Sequence, residues 1–403
     1  MARIAFSSAV VTPVGIEASI FEQGRNVSLQ KENDFVADIS SDSAEESRAL
    51  NVLVVDDSAT VRQVLMAVLP KKRGFNVTVA ADPLIAMDKM KKFRPDVILL
   101  DLEMPRMDGL TFLQKIMAKN PVPVVVCSGL TGPRTDAAIR ALEIGAVDII
   151  TKPQVGLRGF LEESAVLLED TVRAAATARM RKAVTPSSSA TKYNSADVVI
   201  PYAGVTAGPH LREKIVAIGA STGGTEALLH VLEQMPENCP GIVAVQHMPE
   251  GFTAAYARRL NGICRIEVRE AADGDKVVAG RAYIAPGNRH MLVRRIGSGY
   301  FLEVREGPLV SRHRPSVNVL FRSVAQAAGA SAVGILMTGM GDDGADGLLE
   351  MKQAEAFTVA QDEASCVVFG MPREAILRGA VDEVLSLSKI PGAILQNSFA
   401  TRS

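Results

Sequence analysis

The stretch that decides the fold is NVLVVDDS, residues 51–58, read together with DVILLDLEMPRMDG, residues 96–109. In each, a short apolar run ends abruptly in carboxylates. A run of this length bounded by turn residues suits a strand buried on both faces, as strands of parallel sheets are. Working outward, further runs fall at Asn76–Ala81, Val122–Ser128 and Val147–Thr151, with amphipathic stretches between them. Five such strands alternating with helices predict a doubly wound, flavodoxin-like α/β domain whose site lies at the carboxyl ends of the strands. Leu157, Leu161, Leu168, Val172 and Ala175 recur at helical spacing and predict a closing helix.

Beyond that helix the composition changes. Arg173 to Lys182 is rich in Ala and Arg, and Thr185 to Gly208 in Ser, Thr, Ala, Gly and Pro, which reads as a linker. The alternation then resumes. Runs at Ile215–Ser221, Gly241–His247, Arg281–Pro286, Ala332–Thr338 and Phe357–Gln361 read as strands of a second, Rossmann-like parallel sheet. Helical patterns such as Thr253–Leu260 and Val317–Ala328 separate them. The expected organisation is a mobile extension at 1–48, a first α/β domain at 49–168, a linker at 169–212 and a second α/β domain at 213–400. No internal repeat joins the halves beyond this shared architecture.

With 403 residues the chain has room for two cores, and its hydrophobic content of 47% with 22% charged residues is that of a globular protein. A net charge of -1 gives no broad attraction to nucleic acid or anionic lipid. The cysteines Cys127, Cys239, Cys264 and Cys366 lie far apart without a CxxC pair, which suggests neither a disulfide scaffold nor a zinc cluster and fits a reducing, cytoplasmic setting. No stretch reads as a signal peptide or a membrane span.

Chemistry gathers at the predicted strand ends. Asp56 and Asp57 end the first strand and Asp101 the third, so three carboxylates converge, an arrangement that repels itself unless a hard cation such as Mg²⁺ joins it. Ser128-Gly129 and Lys152-Pro153 end the fourth and fifth strands, bringing a hydroxyl and an ammonium able to share the charge of a phosphoryl group. In the second half, Gly219-Ala220-Ser221-Thr222-Gly223 has the spacing of a serine elbow between strand and helix. Such turns also serve tight packing or phosphate binding. His247 ends the next strand in Gln246-His247-Met248-Pro249, offering a base, and Gly339-Met340-Gly341-Asp342-Asp343-Gly344 presents carboxylates and backbone amides.

In the first domain the acid pair, the aspartate with its Met-Pro-x-Met-Asp-Gly loop, Ser-Gly and Lys-Pro occur in the order of two-component receiver domains, which it resembles. That resemblance implies Asp101 as phosphoacceptor, Mg²⁺ held by Asp56, Asp57, Asp101 and Glu103, Ser128 as switch hydroxyl and Lys152 on the acyl phosphate. Ile149 stands where many receivers carry an aromatic switch residue. Over residues 49 to 390 the chain resembles the CheB family of chemotaxis protein-glutamate methylesterases through the strings GASTGG, QHMP, APGNRHM, RHRPSV and TGMGDDGADG. The family implies Ser221 as nucleophile, His247 as base and Asp343 as orienting acid, with Thr222 and Met340 supporting the active site. Asn318 occupies a position where the family often has aspartate. The family further implies methyl-accepting chemoreceptors as substrates and a CheA-type histidine kinase as phosphodonor, with no nucleic acid partner and no membrane insertion. Two other readings stay open. One is a generic α/β-hydrolase pairing Ser221 with Asp275 and His290 or His313; the other is a response regulator whose second domain only binds a protein or DNA.

Overall fold

Val52 to Val55 have no solvent exposure, because the run at 51–58 forms the inner strand β1 (Leu50–Val55) of a sheet covered on both sides. The computed structural model describes residues 48–129, 133–152, 158–178, 193–202 and 213–399. Around β1 lie β2 (Phe75–Ala80), β3 (Val97–Asp101), β4 (Val124–Ser128) and β5 (Asp148–Thr151), in the order β2-β1-β3-β4-β5. All four pairings are parallel, the flavodoxin-like arrangement the sequence predicts. Helices α1 (Ala59–Val68) and α5 (Arg158–Thr177) pack one face; α2 (Pro83–Met90), α3 (Gly109–Lys119) and α4 (Pro133–Ile144) pack the other. Ser58, Asp82 and Asp108 each accept a hydrogen bond from the first turn of the helix they precede, which fixes where α1, α2 and α3 begin. Leu168, Val172 and Ala175 are buried as the spacing predicts, while Leu157 and the side chain of Leu161 lie outside the described residues.

The second sheet comprises β6 (Ile215–Ala220), β7 (Gly241–Gln246), β8 (Glu267–Glu270), β10 (Arg281–Ile284), β13 (Ala332–Leu336), β14 (Phe357–Gln361) and β15 (Glu383–Leu385). Its order is β15-β14-β13-β6-β7-β10-β8, every pair parallel. Helices α6 (Gly224–Leu232), α7 (Phe252–Ile263), α8 (Val317–Ala328), α9 (Ala345–Gln353), α10 (Met371–Leu377) and α11 (Ile390–Phe399) accompany it. The chain turns to opposite sides of β6, toward β7 and toward β13, so the crevice of a doubly wound sheet opens at the carboxyl end of β6.

Two features differ from the expectation. Strands β9 (Lys276–Val277), β11 (His290–Ile296) and β12 (Gly299–Arg305) form a separate antiparallel sheet. It escapes a pattern search because β11 is buried over His290–Val293 and exposed over Arg294–Ile296, so its residues do not alternate. Part of the expected linker is also ordered: residues 169–177 complete α5, with Val172 and Ala175 in the receiver core, and residues 193–202 strap the second domain, burying Ala196, Val199 and Ile200 against Leu292, Val310 and Val319. Arg322 ties the strap down, donating to Asp197 and the Ile200 carbonyl while pairing with Glu350. Three apolar side chains dock a strap but are too few to make a period. The extension at 1–47 and linker residues 179–192 and 203–212 lie outside the described residues.

Candidate active site

Ser221 follows β6 at a turn closed by Gly223, whose φ of 76° lies in the left-handed region that suits glycine. The Ser221 amide donates to the Thr338 carbonyl at 3.0 Å, and its own carbonyl accepts from Gly224 N and from Gln246 Nε2. The loop after β13 therefore presses on the serine. A side chain at Gly339 would bring its Cβ within 2.7 Å of Ser221 Cβ. Among the described residues neither the Thr222 nor the Met340 backbone N–H has a main-chain acceptor, and both belong to the turns that meet where Gly339 presses on Ser221.

His247 enters at the end of β7, its amide bonded to the Ala220 carbonyl at 3.1 Å. Its Nε2 meets Asp343 Oδ2 at 2.8 Å, and its buried Nδ1 has no hydrogen-bond partner among the described residues. Asp343 is almost wholly buried and saturated. Its Oδ1 accepts from Ser316 Oγ (2.7 Å) and Asn318 N (3.0 Å), and its Oδ2 also accepts from Val317 N (2.7 Å). Those amides are the first of α8, whose dipole favours an anion there. Burial pushes this carboxyl up, but the His247 bond and charge outweigh it and hold the group below its usual value. Ser221, His247, Asp343, Thr222 and Met340 are thus brought together at one sheet edge.

The alternative hydrolase set is not assembled. His290 is occupied at both nitrogens, by the Pro308 carbonyl and the Ser316 amide, and Asp275 is held by Arg269 and the Ala272 amide. His313 does reach the site, but as a ring lying flat on His247. Asn318 bridges Ser311 Oγ and the Gly347 amide through its two amide atoms, a donor-and-acceptor role that suits asparagine better than aspartate.

In the first domain, Asp56, Asp57 and Asp101 bring carboxylate oxygens within 4.8 Å of one another. Lys152 Nζ lies 2.7 Å from Asp101 Oδ2 and 3.1 Å from Asp56 Oδ2. Three carboxylates against one ammonium leave an excess of negative charge that a divalent cation fits. Burial raises the Asp101 carboxyl above its ordinary value despite the lysine. Glu103 gives its amide to Asp101 Oδ1, while its own carboxylate is exposed and stands outside the cluster. Asp108 caps α3 instead of joining the acids, with the Thr111 amide holding its carboxyl low. Ser128 is buried at the end of β4.

Residues 216–394 match the CheB methylesterase family and residues 52–158 the response regulator receiver domain. The protein-glutamate methylesterase/protein-glutamine glutaminase 3 of Geobacter metallireducens is 56% identical over 87% of this chain and 99% of its own length. A second relative of that name, from Xanthomonas axonopodis pv. citri, is 56% identical over 85% of this chain and 99% of its own. The crystallised CheB methylesterase catalytic domain of Thermotoga maritima is 37% identical, covering 46% of this chain and 98% of that one, with a TM-score of 0.45.

The chain belongs to the CheB family.

The sequence of this CheB-family chain leads one to expect the receiver to dock across the mouth of the Ser221 site, but it names none of the residues that make the contacts. Asp148, at the head of β5, accepts a hydrogen bond from the Thr222 hydroxyl at 2.9 Å, one residue from Ser221. Desolvation pushes the Asp148 carboxyl up to about 6, moderated by the Ile149 amide, Thr222 and the nearby His247. Asp170 on α5 pairs with Arg312, and Glu143 on α4 with Arg259 of α7. Val368 joins a core cluster of the receiver, with Met340 and Val367 packed beside it. Only the Asp–Ile pair ahead of Lys152 could have signalled this, since Ile149 is buried and Asp148 is the first residue of that strand to face outward.

Proposed function

We propose that this chain hydrolyses glutamate 5-O-methyl esters on methyl-accepting chemoreceptors, releasing methanol, and deamidates receptor glutamines by the same route. The observation that carries this reading is the state of His247: one ring nitrogen locked on a saturated buried carboxylate, the other unpartnered at the strand edge shared with Ser221. His247 Nδ1 takes the hydroxyl proton as Ser221 Oγ attacks the side-chain carbonyl, and Asp343 stabilises the imidazolium that results. The Thr222 and Met340 amides receive the oxyanion. His247 then hands the proton to departing methanol or ammonia, and water, activated by the same ring, hydrolyses the acyl-enzyme.

For regulation, Asp101 is the phosphoacceptor, Ser128 and Lys152 contact the phosphoryl group, and a CheA-type histidine kinase is the donor. Asp56, Asp57 and Asp101, with the Glu103 main chain, would hold Mg²⁺, which when bound offsets the charge of the transferred phosphoryl group. The division into an extension at 1–48, receiver at 49–168 completed by the end of α5, linker over the rest of 169–212 and methylesterase domain at 213–400 is part of this reading, supported by the matches over 52–158 and 216–394. So is a cytoplasmic setting without nucleic acid or membrane insertion, which the four free cysteines suit. Methanol release from methylated receptor membranes, with and without acetyl phosphate, tests the whole. Release by the intact chain, raised by the donor and abolished in S221A, is expected. Equal release by S221A would overturn the reading.

A further inference from the structure

His247 is held by one hydrogen bond at Nε2. A single bond at a ring edge fixes distance but leaves the ring free to tilt about it, and a tilted ring aims Nδ1 away from the nucleophile. Something else must set the plane. His313 lies against the face of His247 with ring centroids 3.6 Å apart and planes 11° from parallel.

The turn that delivers His313 is costly. Val310 and His313 bond each other's main chain, N to O both ways, and between them Ser311 and Arg312 have φ of 46° and 71°, left-handed at two successive non-glycine residues. Such conformations persist where surroundings over-determine them, often at functional sites. Here the surroundings are visible. The Ser311 amide donates to Asn194 of the strap and its hydroxyl accepts from Asn318, while Arg312 pairs with Asp170 under the Tyr193 ring. The turn is thus pinned from the strap, from α8 and from the receiver.

We infer that His313 is a positioning residue for the esterase reaction, a neutral flat platform that holds the His247 ring in the plane where Nε2 meets Asp343 and Nδ1 serves Ser221. This rests on the esterase reading above. Desolvation, and then the charge of His247, keep the His313 imidazole well below its usual range, so it stays uncharged when its neighbour takes the proton. A neutral π face against an imidazolium is attractive, whereas two imidazoliums stacked at this distance would repel. The platform therefore orients the base without setting a second charge against it at the step where it carries the proton.

The test uses the full-length chain with acetyl phosphate, comparing H313F, which keeps a flat ring, with H313L, which fills the space without one, and H313A. Methanol release is expected to stay within about three-fold of the parent in H313F and to fall about 10–100-fold in kcat in H313L and H313A with KM little changed, the scale of a misplaced catalytic group. Independently of activity, the His247 ring protons in the NMR spectrum should show the ring-current shift of a stacked neighbour in the parent and H313F and lose it in H313L. Because that signal needs only folded protein, it separates failure of this inference from failure of the esterase reading. Loss of activity in H313F equal to that in H313A would mean that His313 moves protons instead, and full activity in H313L would reduce it to a space-filler; either overturns the proposal.

Discussion

Asp101 and Asp343 both stand at the carboxyl edge of a parallel sheet, with exposures of 3% and 1%, yet burial wins at the first and loses at the second. The difference lies in the donors each receives. Asp343 takes four on its two oxygens, from Ser316 Oγ, Asn318 N, Val317 N and His247. Asp101 has the Glu103 amide on one oxygen and Lys152 near the other, with Asp56 repelling it from the side. A carboxylate whose lone pairs are all engaged can orient and stabilise a neighbour but cannot attack. One left partly free beside a lysine and two more acids can accept a phosphoryl group. On the proposed roles, the count of donors, more than burial, separates the orienting acid from the reacting one.

The sharpest way to break this comparison is to empty the saturated site. D343A should lower kcat for methanol release about 10⁴-fold, the loss typical when a base is left without its orienting acid. The D343A/H247A double variant should lose little more than the worse of the two single variants, because the two act as a unit. Losses that multiply in the double variant would mean independent roles. A smaller effect is expected at the receiver: D101N should take no label from a phosphodonor and lose donor-dependent activation, about 5–150-fold if the coupling has ordinary allosteric size, while unstimulated activity persists. Labelled D101N would place the acceptor elsewhere. Smaller again, D57A removes the exposed member of the acid cluster, and Mg²⁺ titrated calorimetrically should bind about 10-fold more weakly. Unchanged affinity would take Asp57 out of the cation site.

The parts of this arrangement legible in the sequence were those written locally. Apolar runs such as 52–55 and 215–220 ending in chemical residues located both sheets, and because parallel strands align their carboxyl ends, strand ends alone placed Asp56 near Asp101 and Ser221 near His247. What stayed hidden depends on long-range register or on conformations that composition does not encode. β8, Glu-Val-Arg-Glu at a sheet edge, carries one buried side chain in four. His313 reaches His247 only because Ser311 and Arg312 turn left-handed, and nothing in their identities announces it. The bond between Asp148 and Thr222 joins residues 74 apart in the chain, one of them inside a motif that reads as purely local to the receiver.

That bond yields the smallest and most diagnostic prediction, because it sets a third aspartate between the two kinds. Asp148 accepts from Ile149 N and Thr222 Oγ1 and sits close enough to His247 to feel its charge, yet desolvation still raises its carboxyl to about 6 from an ordinary 3.8. Undocking the receiver returns the group to water and to its ordinary value. The docked form therefore binds more protons than the undocked form between about 3.8 and 6, and docking must strengthen as pH falls through that window and be at its weakest above it. If docking over Thr222 restrains Ser221, the ratio of activity with acetyl phosphate to activity without it should rise from pH 7 to pH 5, by about two- to five-fold, since Asp148 is only partly buried and solvent screens the effect. D148N keeps an acceptor for the Ile149 amide and a polar partner for Thr222 but cannot ionise, so its ratio should be flat with pH and its unstimulated activity at pH 7 lower than the parent's. A ratio in D148N that still climbed toward pH 5 would assign the proton uptake to another group and leave Asp148 a contact without a switch.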